Sequence, residues 1–207
     1  MINVTVEELE KVVSTIDEAL GLHAKWRETL ERSLACRLPP PEASMTEDAH
    51  LKCAFGHWFY SKGNAHLRNL PAFIKIGKLH QSMHDSARTL CIKSKALGSV
   101  AVDDYDLFLG ELSTFKEELL SLQRRVSYTL KNIDPLTGAF KQPKLLPDLR
   151  EVQQRLKEST TPYSLLLMDI DLKTINKNHG RNIGDKVLRS TIMGVREVLS
   201  AGDKIYR

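Results

Sequence analysis

Three histidines stand where the hydrophobic pattern asks for apolar side chains. Leu9, Val13, Ile16, Leu20, His23, Trp26, Leu30 and Leu34 follow the three-and-four spacing of a buried helix face. Phe73, Gly77, His80, His84, Ala87 and Cys91 follow it as well. Burying one unpaired imidazole is costly. Three of them, with Cys53 between them in the chain, point to a shared partner. Three imidazoles and one thiolate form a nitrogen–sulfur set that suits zinc. His80 and His84 are four apart, so both can face one ion. Spacing alone leaves two alternatives open. One is a set of separately satisfied core histidines with a buried thiol. The other is His50, three positions before Cys53, as a rival ligand. His57, His66 and His179 are expected to face solvent, and Cys36 and Cys91 to be small core residues.

A second constellation lies near the C-terminal end. The apolar run Tyr163-Ser164-Leu165-Leu166-Leu167-Met168 leads into Asp169-Ile170-Asp171. Such a run reads as a buried parallel strand. Carboxylates at the carboxyl end of a parallel strand are well placed for Mg²⁺ and phosphate. Lys173 and Asn176 follow within about a helical turn, and Gly180 and Gly184 permit a tight loop. Asp185 falls near a helix start, where an acid is favoured electrostatically whether or not it binds anything. Asp171 has a similarly plain alternative as a turn residue.

The elements that must position these groups read as follows. Helices are expected over residues 5–36, 47–60, 71–96 and 102–131. Leu38-Pro39-Pro40-Pro41 ends the first, and Pro71 starts the third. In the fourth, Tyr105, Leu112, Leu119 and Val126 recur every seven residues, with Phe108, Phe115 and Leu122 as a companion row. Short connections between four helices imply an antiparallel bundle. The long last helix is expected to pair with a second copy through Tyr105, Phe108, Leu112, Phe115 and Leu119 or their neighbours on the seam, although a bundle can also consume such a seam internally. Asp134-Pro135-Leu136-Thr137-Gly138 marks a boundary. Beyond it a helix (143–158), the strand just described, a helix (183–199) and a second strand beginning at 204–207 are expected. The fold class is therefore an α four-helix bundle, residues 1–131, followed by a partial α/β domain, residues 132–207.

Composition narrows the function classes. The 207 residues are 42% hydrophobic and 27% charged, with a dispersed net charge of +4. No basic stripe favours nucleic acid, and no apolar run reaches the roughly 20 residues of a membrane span. Three widely separated cysteines fit a reduced, cytoplasmic setting. Neither nucleic acid nor membrane is expected as a partner.

His23-x2-Trp26, Cys53-x-Phe55-Gly56-x-Trp58 and His80-x3-His84 together resemble the chemoreceptor zinc-binding (CZB) domain, over about residues 5–130. The resemblance implies that His23, Cys53, His80 and His84 ligate a regulatory zinc, with Trp26 and Trp58 packed beside it. Asp134-Pro135-Leu136-Thr137-Gly138, Asp169-Ile170-Asp171, Asn176 and Gly184-Asp185 resemble the first half of a GGDEF diguanylate cyclase domain. That family condenses two GTP into cyclic di-GMP across a dimer. The resemblance implies Mg²⁺ at Asp169 and the Ile170 carbonyl, guanine contacts from Asn176 and Asp185, and a phosphate role for Lys173.

Several positions depart from the GGDEF pattern. Only Leu172 separates Asp171 from Lys173, where two residues are usual. Lys177, Arg181 and Ser200 replace an acid, a histidine and an arginine. The GGDEF loop itself would begin after Arg207. The expectation is a homodimeric zinc-sensing module of a cyclase, inactive as encoded, whose vestigial site takes GTP weakly or not at all. The alternative is an active, zinc-inhibited cyclase of which this sequence is a fragment.

Overall fold

Arg37 ends the first helix by adopting a left-handed backbone, φ 54°, a conformation glycine usually supplies at this place. The Leu38 N–H then reaches back to the Ser33 carbonyl at 2.9 Å, and the prolines carry the chain away. The structure is a computed structural model, and it describes residues 6–157, 162–200 and 202–207. Helix α1 runs Val6–Ala35, α2 Ala49–Lys52, α3 Ala54–Phe59, α4 Ala65–Arg68, α5 Pro71–Leu97 and α6 Val102–Lys131. They are followed by α7 Leu145–Arg155, α8 Leu172–His179 and α9 Arg181–Val198. The expected helix ends at residues 5 and 158 lie outside the described residues.

The chain divides into two compact units, one ending at Ser127 and the other beginning at Tyr128. In the first, side-chain pairs fix the directions of the three long helices. Lys75, Ser82 and Lys93 of α5 meet Glu118, Glu111 and Asp104 of α6 in reverse order. Asp17 and Glu31 of α1 meet Gln123 and Tyr105 of α6, also reversed. Helix α6 is therefore antiparallel to both α1 and α5. Pro71 opens α5, and Gly98, at φ 69°, closes it in the left-handed cap that only glycine adopts at little cost.

The fourth side of the bundle departs from expectation. A single helix over 47–60 is replaced by α2 and α3, parted at Cys53, whose backbone is extended (φ −71°, ψ 157°). The break is stabilised locally, because Cys53 caps α3 and its Sγ accepts the Gly56 N–H at 3.2 Å.

The seam of α6 is also used differently. Phe108, Leu112, Phe115 and Leu119 are buried against the chain's own helices. The same side chains cannot also face a second copy, so the expected pairing through this row is corrected. On α1 the buried row is Val12, Ile16, Ala19, His23 and Leu30, while Val13 and Leu20 are only half-buried.

In the second unit a turn is built on Asp134. Its Oδ1 accepts from the Thr137 N–H at 2.9 Å and from the Thr137 hydroxyl at 2.7 Å, and Gly138 takes φ 69°. The expected α/β sheet is not formed among the described residues. Residues 163–168 carry no strand, and Leu166 and Leu167 are 82% and 94% exposed. Phe140 instead takes up the C-terminal segment. Its N–H donates to Ile205 and its carbonyl accepts from Arg207, giving a parallel bridge to Tyr206. A parallel strand needs ladders on its flanks, and this single bridge offers none to 163–168.

Candidate metal centre

Helix α1 brings His23 to the centre of the bundle, and α5 brings His80 and His84 one turn apart beside it. The α2–α3 break supplies Cys53. One donor atom from each lies within 4.8 Å of the others. Cys53 Sγ is 3.2 Å from His80 Nε2 and 4.0 Å from His23 Nε2. The three imidazole rings stand edge to face, with centroids 4.7–5.7 Å apart. Phe115 of α6 closes the cluster, 5.2 Å from the His80 ring and 5.3 Å from the His23 ring.

Hydrogen bonding separates the three histidines. The Nδ1–H of His23 donates to the Ala19 carbonyl at 2.7 Å, which leaves Nε2 with its lone pair facing the cluster. His80 Nδ1 and both ring nitrogens of His84 are buried without a hydrogen-bond partner. Burial, with the neighbouring histidines adding to it, holds the His80 imidazole down to about 2 and that of His84 to about 3. Burial also lowers His23, against the Ala19 carbonyl. All three are therefore neutral, as a ligand must be. Burial raises the Cys53 thiol despite the Gly56 N–H beside it, so metal binding must displace its proton.

The donor set fits zinc: it is all nitrogen and sulfur, it closes at four, and it contains no carboxylate. Zinc–ligand bonds of about 2.0–2.3 Å place tetrahedral donors roughly 3.3–3.8 Å apart. The observed spread of up to 4.8 Å is within about an ångström of that arrangement.

Trp26 packs directly on the site, its ring 4.9 Å from that of His84, and its indole N–H donates to the Ser44 hydroxyl at 3.0 Å. Trp58 lies one ring further out, against Phe55, Phe59 and Phe73, so the pair is not equivalent. The 3₁₀ turn Glu42–Met45 that presents Ser44 carried no sequence signal. His57 and His179 are exposed as expected, and Cys91 is buried, but Cys36 is exposed.

The second constellation is less assembled. Asp169, Lys173 and Asn176 are exposed, while Ile170 and Asp185 are half-buried. Asp171 caps α8, its carboxylate accepting the Thr174 N–H at 3.0 Å. The Asn176 side chain lies so close to Gly184 that a Cβ there would come within 2.0 Å of Oδ1. Among the described residues, only the His23, Cys53, His80 and His84 group brings three or more such donors together.

Family models match the two segments that carry these constellations. Residues 23–91 match the chemoreceptor zinc-binding domain, and residues 131–207 match the diguanylate cyclase GGDEF domain. The chain thus joins a segment similar to the CZB domain to a segment similar to the GGDEF domain of diguanylate cyclases. It is 28% identical over 203 residues to diguanylate cyclase DgcZ of Escherichia coli (strain K12), an alignment covering 97% of this chain and 67% of that protein. The solved structure of the regulatory CZB domain of DgcZ covers 57% of this chain and 98% of its own, at 18% identity and TM-score 0.48. Zinc is the metal of the first family and Mg²⁺ the usual cation of the second. No helix among the described residues is long and apolar enough to cross a membrane.

Proposed function

We propose that this polypeptide is the zinc-sensing regulatory module of a diguanylate cyclase, with His23, Cys53, His80 and His84 as the four ligands. One observation carries the reading. Four nitrogen and sulfur donors from three elements converge, and three of their buried ring nitrogens have no partner. Bound zinc supplies a cross-link joining α1, the α2–α3 break and α5. The Ala19 carbonyl orients His23, the Gly56 N–H orients Cys53, and Trp26 and Phe115 exclude water from the rings. Phe115 lies on α6, whose chain continues into residues 132–207, so ring positions at the cluster bear on that helix. A free Cys53 thiol suits a cytoplasmic setting. Pairing of two helical domains belongs to this reading through exposed residues of α6 outside its seam, such as Leu107.

Residues 132–207 are read as the GGDEF-like domain, with Asp169 and Ile170 on the Mg²⁺ side and Lys173, Asn176 and Asp185 toward GTP. The polypeptide of residues 1–207 is inferred to make no cyclic di-GMP. The shortened spacing before Lys173 moves the phosphate contact, and Asp169 follows a segment without a strand. Phosphoryl transfer depends on positioning and charge stabilisation, and both are weakened here.

Metal analysis of the purified chain is expected to give about one zinc per chain, with one sulfur in its shell by X-ray absorption. A shell of oxygen and nitrogen alone would remove Cys53 as a ligand. Incubation with GTP and Mg²⁺, after zinc removal, is expected to give no product by mass-resolved chromatography. A product that disappears in Asp169→Ala would overturn the inactive reading.

A further inference from the structure

A fourth imidazole stands beside the cluster without belonging to it. His50, on α2, has its ring centroid 6.4 Å from that of His80, and it is not among the four whose donors converge. Its Nδ1 is buried and has no hydrogen-bond partner. The ring also rests edge-on against Tyr60, at 5.7 Å. The backbone beneath it is held: the His50 carbonyl lies 3.6 Å from Cys53 Sγ, and a Cβ at Gly56 would come within 1.9 Å of that oxygen.

Exposure differs around the cluster. His23, His80 and His84 are buried, at 7%, 0% and 5%. His50 and Cys53 are part-exposed, and Leu51 and Lys52 between them are exposed. The four-residue α2 is therefore the more exposed side of the cluster. There stands an imidazole with a buried, unpartnered ring nitrogen, three residues from the only thiol of the set.

We propose that His50 is an exchange ligand, which binds zinc transiently at the α2 edge and passes it to and from Cys53 and His80. This rests on the four-ligand reading above and adds a kinetic role to a fifth residue. On uptake, a zinc–nitrogen bond to His50 forms as a zinc-bound water leaves. That bond breaks as the buried ligands bind, and the Cys53 proton passes to solvent. No oxidation state changes. On release the order reverses. Because His50 is bound in neither end state, its loss alters rates and leaves the equilibrium nearly untouched.

The test uses the full chain, loaded with one zinc and mixed with an excess of a chromophoric chelator. Equilibrium competition gives affinity and stopped-flow gives exchange. The variants are His50→Ala and His50→Phe, the second keeping a ring against Tyr60 without a nitrogen. Both are expected to retain one zinc with affinity within about threefold of the unmodified chain. Both are expected to slow uptake and release by about tenfold, equivalent to roughly 1.4 kcal/mol of barrier. Unchanged rates in both variants would overturn the proposal. So would slowing in His50→Ala alone, which would assign His50 to packing. A joint loss of affinity of tenfold or more would make His50 a resident ligand and also overturn it. Failure of the unmodified chain to hold zinc would instead defeat the four-ligand reading itself.

Discussion

Cys53 Sγ lies 3.2 Å from His80 Nε2, although 27 positions separate the two residues. The approach depends on the break between α2 and α3. An uninterrupted helix would spend the backbone N–H groups after Cys53 on carbonyls one turn back. At the break the Gly56 N–H turns to the sulfur instead. The cap of a short helix is thus also the orienting contact of a candidate thiol donor, and local folding and donor placement are coupled at one residue.

Replacing His84 by Leu should act in opposite directions on metal and fold. Both His84 ring nitrogens are buried without partners, and an unsatisfied buried polar group costs about 1–3 kcal/mol. The metal-free variant is therefore expected to be more stable than the metal-free parent by about that amount, while its zinc affinity collapses. Urea unfolding in chelator, paired with metal analysis, checks both signs. A less stable metal-free variant would show that His84 has an internal partner.

Gly56→Ala should damage the site through the backbone. The added Cβ would meet the His50 carbonyl oxygen at 1.9 Å, a contact that no side-chain rotation relieves. Overpacking of this kind costs about 1–3 kcal/mol. Denaturant unfolding should show that loss, and zinc affinity should fall with it because the Cys53 turn moves. An affinity unchanged in the face of lost stability would uncouple the cap from the ligand.

Phe115→Ala should behave as a core truncation and not as an interface mutation. Phe115 is 1% exposed and packs on His23 and His80. A loss of about 3–5 kcal/mol is expected, seen as a lower unfolding midpoint. Sedimentation should show no change in association at concentrations where the variant is folded. Dissociation of a dimer without loss of stability would restore the seam to an interface.

The second unit should be sensitive to acid. Asp148 is buried, which by itself disfavours its charge, yet hydrogen bonds from Lys144, Tyr206 and Lys204 hold its carboxyl down to about 2. Its folded value thus lies below the ordinary 3.8. The stabilisation is complete above that ordinary value and is lost as pH falls from near 4 to about 2. Amide protection of α7 should decline across this window, and Asp148→Asn should flatten the decline. A profile indifferent to that substitution would remove Asp148 as its cause.

The long helices were legible because their causes are local. The helical spacing of apolar residues, Pro71 at a first turn and Gly98 after the last residue of α5 predict ends that agree with the observed ones to within about a residue. The α2–α3 break was not legible. Nothing in the residues around Cys53 forbids a continuous helix, and the break is held by packing, where Gly56 admits the His50 carbonyl. The outcome for α6 has the same origin. A heptad row shows that a face is buried, but its partner depends on where α1 and α5 lie.

For the candidate site, sequence alone narrowed the candidate donors to His23, Cys53, His80 and His84, with His50 as a rival. Histidines on an apolar face are chemically conspicuous, and one thiol near them in the chain completes a zinc-type set. It also determined that residues 163–168 are apolar. Only tertiary structure decided that His23, Cys53, His80 and His84 converge while His50 stands aside, that Trp26 touches the cluster while Trp58 does not, and that Phe140 pairs with the C-terminal segment while 163–168 stays outside any sheet. The physical reason is common to all three. Side-chain type and period are properties of neighbouring residues, whereas a donor's reach, a ring's neighbour and a strand's partner are set by elements distant in the chain.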